Sequence, residues 1–274
     1  MTSAAPSSVP SQPRARVLVT RPQREALPWV QALQAQGVDA LAFPLIDILP
    51  LSDSHELVSA WRLMPTLSAV MFVSANAVRG FMAARPPDAA RPTAQAWGTG
   101  PGTEAALRAA GWPADLIRCP ASDAVQFDSE ALWTQVQPDV QRWQGDGAVH
   151  SALIVRGADA QGQMAGRDWL AQQMLAAGLQ VTQCIAYARQ APQLDATQLA
   201  LARQALSGGD WWLFSSSEAA VHLSAALPEA DLSRSCALAT HPRIAERLKQ
   251  LGWARVLVVP AALPDQALSI KSLT

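Results

Sequence analysis

The sequence predicts an α/β fold made of two modules of one architecture, each a parallel sheet covered by helices on both faces. Three observations carry this expectation. Short apolar runs of the buried-strand type alternate with segments of helical periodicity. Glycines close the helical segments at Gly37, Gly111, Gly178 and Gly252. The pattern also recurs: Ser74 to Gly111 spans 37 residues and Ser216 to Gly252 spans 36. The chain therefore reads as a tandem repeat of about 140 residues.

The first unit opens with the apolar run Val17-Leu18-Val19-Thr20, and Pro22 follows at a first helical position. From Gln23 to Gln36 the residues Leu27, Val30 and Leu33 lie at helical spacing, and Gly37 stops the helix. A second run, Val38 to Phe43, leads through Pro44 into Leu45–Pro50, which gives strand, helix, glycine, strand. The second unit starts at Ala69–Val73. Ser74-Ala75-Asn76 caps a helix over 77–84, and Ala94–Gly98 precedes Gly100-Pro101-Gly102-Thr103 and a helix over 104–110.

The third unit echoes the first, with a strand at Ala152–Gly157 that ends in Arg156, as Arg21 ends the first strand, and a helix over 169–177. The fourth echoes the second. Trp211–Phe214 runs into Ser215-Ser216-Ser217, a helix follows over 218–226, and Ala237–Thr240 precedes His241-Pro242-Arg243 and a last helix. Residues 137–151, with Gly145-Asp146-Gly147, read as a longer loop. Ligands of parallel α/β sheets bind beyond the carboxyl ends of the strands. The Ser-rich and Gly-rich turns lie at those ends, and two facing modules would set them around a shared cleft.

Composition narrows the function classes. The chain has 274 residues, half of them apolar, with 16% charged and a mean hydropathy of +0.08. That length suits one large domain or two of roughly 120 residues. A net charge of −1 and a pI near 6.4 give no bulk attraction to nucleic acid or an anionic membrane. A polyanionic small molecule would need local donors instead. Cys119, Cys184 and Cys236 lack metal or CxxC spacing and read as free thiols of a reducing compartment. No run reaches the roughly 18 apolar residues of a membrane span. Residues 1–15, rich in Ser, Pro and Ala, read as a disordered tail and not as a signal peptide, so a cytoplasmic protein is expected. Phosphate-loop, dinucleotide and nucleophile-elbow motifs are missing.

Several ordered fragments resemble the uroporphyrinogen-III synthase family. Val17-Leu18-Val19-Thr20-Arg21-Pro22 is similar to the family's opening strand, and Phe72-Val73-Ser74-Ala75-Asn76-Ala77-Val78 to its capped turn. Gly100-Pro101-Gly102-Thr103 with Gly111 resembles its G-x-x-T…G element. Arg156-Gly157, Gly166-Arg167-Asp168-Trp169-Leu170 and Tyr187-Ala188-Arg189 follow in the family's order. Phe214-Ser215-Ser216-Ser217 and His241-Pro242-Arg243-Ile244-Ala245 resemble its closing pair.

The resemblance implies two flavodoxin-like parallel-sheet domains joined by two extended linkers, with the ligand cleft between them. Domain one would hold residues 16–44 and 190–264, and domain two residues 52–183. Linkers would run over 45–51 and 184–189, and residues 265–274 would form a C-terminal tail. The implied substrate is hydroxymethylbilane, a linear tetrapyrrole with eight carboxylates. Loss of water and inversion of its last ring close it to uroporphyrinogen III, with no cofactor, no metal and a monomeric enzyme. Membrane and nucleic-acid partners are not expected.

Few lysines lie near the expected site, so backbone N–H groups at the turns of Ser74, Ala75 and Asn76, of Gly100, Pro101, Gly102 and Thr103, and of Ser215, Ser216 and Ser217 are the expected carboxylate donors. Those residues would equally serve as plain helix caps. Arg21, Arg156 and His241 are candidate substrate ligands, with ordinary surface charge as the other reading for the arginines. His241 has no second ligand nearby for a metal. Tyr187, the only tyrosine, is the candidate catalytic acid for the departing hydroxyl. Its other reading is a ring packed at a domain junction. Two rival classes are a two-domain small-ligand binder of the periplasmic type, which would carry an export signal, and a phosphoacceptor module, which would need acidic residues where Thr20-Arg21-Pro22 stands.

Overall fold

The computed structural model describes residues 15–121, 124, 126–164, 166 and 168–273. All but Ala15 of the expected N-terminal tail, and Arg167 of the family-like motif, lie outside the described residues. The strands in chain order are β1 Val17–Val19, β2 Ala40–Ala42, β3 Asp47–Leu49, β4 Ala69–Phe72, β5 Gln95–Gly98 and β6 Ile117–Arg118, then β7 Ser151–Ala158, β8 Gln180–Gln190, β9 Trp211–Phe214, β10 Cys236–Ala239 and β11 Arg255–Val258. The helices are α1 Gln23–Ala35, α2 His55–Leu63, α3 Ala75–Ala83, α4 Pro101–Ala109, α5 Ser129–Gln144, α6 Trp169–Ala176, α7 Ala196–Ser207, α8 Ser217–Ala226, α9 Pro242–Gln250 and α10 Leu263–Lys271.

The chain divides into two units. Unit 1 holds the residues up to Pro44, Leu194–Val259 and the chain from Leu263, whereas unit 2 holds Leu45–Gln193 with Pro260–Ala262. The sheet of unit 1 runs in the order β2-β1-β9-β10-β11, with every pairing parallel. That is the flavodoxin-type order. Unit 2 has β8-β7-β4-β5-β6, also parallel, and adds β3 antiparallel on the outer side of β8. The two orders coincide when β7 and β8 take the places of β1 and β2, and β4, β5 and β6 those of β9, β10 and β11. The sequence repeat is thus a repeat of sheet order, with the halves exchanged along the chain in unit 2.

Burial explains the apolar runs. Val17, Leu18 and Val19 of β1 are all fully buried, as a parallel strand covered on both faces requires. In unit 1, Trp212 packs edge-on to Phe43 at 5.3 Å and Phe214 edge-on to Trp253 at 5.3 Å. Unit 2 has one core on each side of its sheet. Phe72, Val155 and Tyr187 lie on the face covered by α2, α3 and α4, and Met71, Ile154 and Leu170 on the face covered by α5 and α6.

Helix ends follow local chemistry. Pro22 takes the N-cap position (φ −48°, ψ 145°), one residue before the place expected, because proline presets an extended entry there. Gly37 (φ 81°) and Gly252 (φ 92°) sit in the left-handed region just past α1 and α9. Pro28 lies inside α1 at an exposed position, where the carbonyl it leaves unbonded, that of exposed Arg24, reaches water.

Two expectations need correction. Residues 137–144 continue α5, because Leu132, Val136 and Val140 bury one stripe at helical spacing while Pro138 and Thr134 face solvent. Residues 263–271 form α10, held by buried Ala267 and Ile270, where a tail was expected. The two expected linker segments are extended and pair with each other: Asp47 pairs with Gln190 and Leu49 with Ala188, so their backbone groups are satisfied by each other.

Candidate functional site

In unit 2 the carboxyl ends of β7, β4 and β5 lie side by side. Beyond β4, Ser74 takes an extended backbone (φ −166°, ψ 167°) and caps α3, its Oγ accepting the Ala77 N–H at 3.2 Å. The same Oγ shares a 3.0 Å hydrogen bond with the Tyr187 hydroxyl. Ala75 begins the helix, and Asn76 Oδ1 accepts from the Arg79 guanidinium at 2.7 Å. Beyond β5, Thr99 Oγ1 donates to the Val73 carbonyl at 3.2 Å, which ties this turn to its neighbour. Gly100 is the N-cap of α4, and Pro101 and Gly102 form its first turn. Thr103 is buried, its methyl packed where a Cβ on Gly98 would come within 3.0 Å of it. It therefore supports the turn from inside.

Tyr187 is 5% exposed and lies on β8 at a β-bulge. Arg156 pairs with Ile185 but Gly157 pairs with Tyr187, leaving Ala186 as the additional residue. Gly157 lies against the phenol: a Cβ there would stand 2.6 Å from Tyr187 Cζ and 2.7 Å from Cε2. Gly80 of α3 approaches the bulge itself, and a Cβ there would stand 2.9 Å from the Ala186 carbonyl carbon, with the oxygen closer still.

Arg156 sits elsewhere than expected. β7 continues past it to Ala158, and its side chain is buried on the other sheet face from Tyr187, beside Ile154. Nη1 donates to Asp168 Oδ1 at 2.9 Å, and the group borders a hollow of about 210 Å³ with Met71, Thr99 and Ser129.

In unit 1 the ends of β1, β9 and β10 are adjacent. Thr20 Oγ1 donates to the Leu213 carbonyl at 2.8 Å, fixing the end of β1 against β9. Arg21 follows, its guanidinium 4.1 Å above the Trp29 ring and its Nε buried without a hydrogen-bond partner. Burial pulls the Arg21 pKa down to about 10, and the Glu25 charge partly offsets this, so the group remains a cation at neutral pH. Ser216 caps α8 by accepting the Glu218 N–H at 3.2 Å, Ser217 begins that helix, and the Ser215 hydroxyl is buried with no hydrogen-bond partner. His241 caps α9, its Nδ1 accepting the Arg243 N–H at 3.0 Å.

Burial, then the Glu104 charge, raises the Cys119 pKa to about 12 against smaller opposing effects of the Gly98 backbone and Arg108. Burial and then Glu56 raise Cys184 to about 12. Both stay protonated and are poor nucleophiles. Among the described residues no three His, Cys, Asp or Glu side chains form a metal-binding group. No helix among them is long and apolar enough to cross a membrane.

Residues 28–268 match the family model described as uroporphyrinogen-III synthase HemD. The chain belongs to the uroporphyrinogen-III synthase family. A curated relative, the uroporphyrinogen-III synthase of Chlorobaculum parvum, is 34% identical over 68 residues, which is 24% of this chain and 25% of that protein. The chain thus matches about a quarter of that relative's length. Among solved structures it resembles uroporphyrinogen III synthase of Thermus thermophilus (17% identity, 94% of this chain and 98% of that one, TM-score 0.54). It also resembles the synthetase of Helicobacter pylori (12% identity, 95% and 100%, TM-score 0.55). At these identities the likeness supports the two-domain α/β fold.

In this uroporphyrinogen-III synthase family member the expected turns all sit at carboxyl ends of strands. Ser74, Gly100, Ser216 and His241 each cap a helix. Ser74 and Tyr187 are brought into direct contact, whereas Arg156 is separated from both by the sheet. The packing role of Gly80 went unread in the sequence. Its signal was a lone glycine within a helical pattern, which calls for a packing reason.

Proposed function

We propose that this chain is a uroporphyrinogen-III synthase that closes hydroxymethylbilane with inversion of its last ring. The observation that carries the reading is the family match over residues 28–268. The terminal hydroxymethyl group takes up a proton and leaves as water, giving an electrophilic azafulvenium cation. The substituted carbon of the last ring attacks it, forming a spiro intermediate that reopens, recloses inverted and loses a proton. The chemistry needs no redox change, and the work of the protein is to hold the chain in the reactive arrangement.

Turns at the strand ends of both units are proposed to take substrate carboxylates through helix N-terminal N–H groups at Ser74–Asn76, Gly100–Thr103 and Ser215–Ser217. Arg21, Arg156 and His241 are proposed to add side-chain donors. Tyr187 is proposed to donate the proton to the departing hydroxyl. Its hydroxyl is held at Ser74 and its ring is fixed on Gly157, an arrangement suited to a placed donor. The enzyme is further proposed to act in the cytoplasm as a monomer without metal or cofactor, on the strength of the family resemblance.

The test is to give purified protein fresh hydroxymethylbilane in metal-free buffer and to separate the oxidised products by chromatography. The inverted isomer should dominate. Only the uninverted isomer, which the reagent forms unaided, would refute the assignment.

A further inference from the structure

We propose that Ser74 is a positioning residue for Tyr187, and that the β8 bulge at Ala186 and the bare face of Gly157 exist to bring the phenol to it. The inference rests on the proposed role of Tyr187. Three independent features converge on this one side chain. The register shift after Arg156 turns Tyr187, in place of Ala186, toward Gly157. Bulges re-aim side chains in this way at the cost of one unpaired residue. Gly157 leaves room for the ring, since a Cβ would stand 2.6 Å from Cζ. Ser74 then meets the hydroxyl at 3.0 Å.

The capping bond leaves the Ser74 hydrogen available to the phenol oxygen. Ser74 Oγ already accepts the Ala77 N–H at 3.2 Å. It retains one hydrogen and one lone pair. When Ser74 donates that hydrogen to the phenol oxygen, the phenol O–H is left free to point at substrate. The cap thus fixes the Oγ, and the Oγ fixes the phenol. Ser74 itself needs no contact with the reacting atoms.

Tyr187 is the only tyrosine, so a single reporter reads the contact without reference to turnover. Protein labelled with fluorotyrosine carries one fluorine resonance, at residue 187. Ser74→Ala should move that resonance and lower kcat about three- to tenfold, as loss of one neutral hydrogen bond allows, with KM little changed. Ser74→Thr should restore both. Ser74→Ala and Tyr187→Phe should be non-additive in kcat, because each removes the same contact. Asp195→Ala, which removes the comparable cap of α7, should leave resonance and turnover unchanged. Gly157→Ala, which displaces the ring while leaving the α3 cap intact, should also move the resonance and lower kcat.

An unmoved resonance in both Ser74→Ala and Gly157→Ala, or full additivity of Ser74→Ala with Tyr187→Phe, would overturn the proposal. A wild-type protein that makes no inverted isomer sinks the functional reading instead. The resonance arm still reports on the contact in that case, so the two failures are distinguishable.

Discussion

Gly80→Ala sets two physical effects against each other, and the structure decides the sign. On helix propensity alone, alanine at an interior helical position gains about 1 kcal/mol over glycine. Gly80 is the sixth residue of α3, and its Cα faces the backbone of β8. An added Cβ would overlap the Ala186 carbonyl, standing 2.9 Å from the carbon and 3.2 Å from the Ala186 Cβ. Backbone cannot rotate away as a side-chain tip can, so α3 or the bulge must shift. Overpacking of this kind costs typically about 1–3 kcal/mol, and a backbone clash belongs at the upper end. The net expectation is a loss of about 2 kcal/mol, or roughly 4–8 °C in Tm for a chain of this size.

Gly102→Ala is the matched control. Gly102 is also helical, in the first turn of α4, but nothing lies within 4 Å of the position its Cβ would take. It should stabilise by about 0.4–1 kcal/mol. Thermal and urea unfolding of the two variants beside wild type measure both. A Gly80→Ala protein as stable as wild type, or more so, would refute the close approach of α3 to β8.

Tyr187→Phe should slow turnover by about tenfold or more, the lower range for general-acid assistance. An unchanged rate in a steady-state assay would leave the ring with packing alone. Asp139→Asn should destabilise unit 2 by about 1.5–3 kcal/mol near neutral pH, because hydrogen bonds to a charged group are lost. Burial raises the Asp139 pKa, but hydrogen bonds from Gln95 and Arg118 and the charges of Arg118 and Arg142 outweigh it and hold it below the ordinary carboxylate value. A depressed carboxyl contributes its stability above the unfolded pKa of about 3.9 and loses it as pH falls through the lower folded value. Urea titrations should therefore show the wild-type advantage shrinking below about pH 4; an advantage constant down to pH 2 would contradict this pairing. Cys184, buried and protonated with a pKa near 12, should resist alkylation in the folded protein and react once unfolded. Mass spectrometry before and after addition of urea checks this.

Much of the fold was legible because its signals are local. Fully buried runs such as Val17–Val19 and Trp211–Phe214 announce central parallel strands by continuous apolarity. Ser74 and Ser216 announce helix starts because a short side-chain oxygen can accept a free backbone N–H. The helix α7 carries such a cap in Asp195, but its apolar pattern is faint. Its alanine-rich sequence buries only Ala202, Ala205 and Leu206, so the apolar stripe barely contrasts with the rest. The candidate site was legible as a set of turns, but not the partners within it. Nothing in the spacing shows that Ser74 meets Tyr187 across 113 residues, or that Arg156 pairs with Asp168 on the opposite sheet face.

By itself the sequence determined the two-module α/β plan, the positions of the capped turns at strand ends and the resemblance to the uroporphyrinogen-III synthase family. Those depend on periodicity, on capping chemistry and on motif order, all of which are written within a few residues or in their succession. Tertiary structure alone decided the exchanged strand order of unit 2, the β3–β8 ladder between the two extended segments, and the bulge that turns Tyr187 onto Gly157 and Ser74. A one-residue change of register sends a side chain to the other face of a sheet. Register is set by how two distant strands pair, which no local segment of the sequence records.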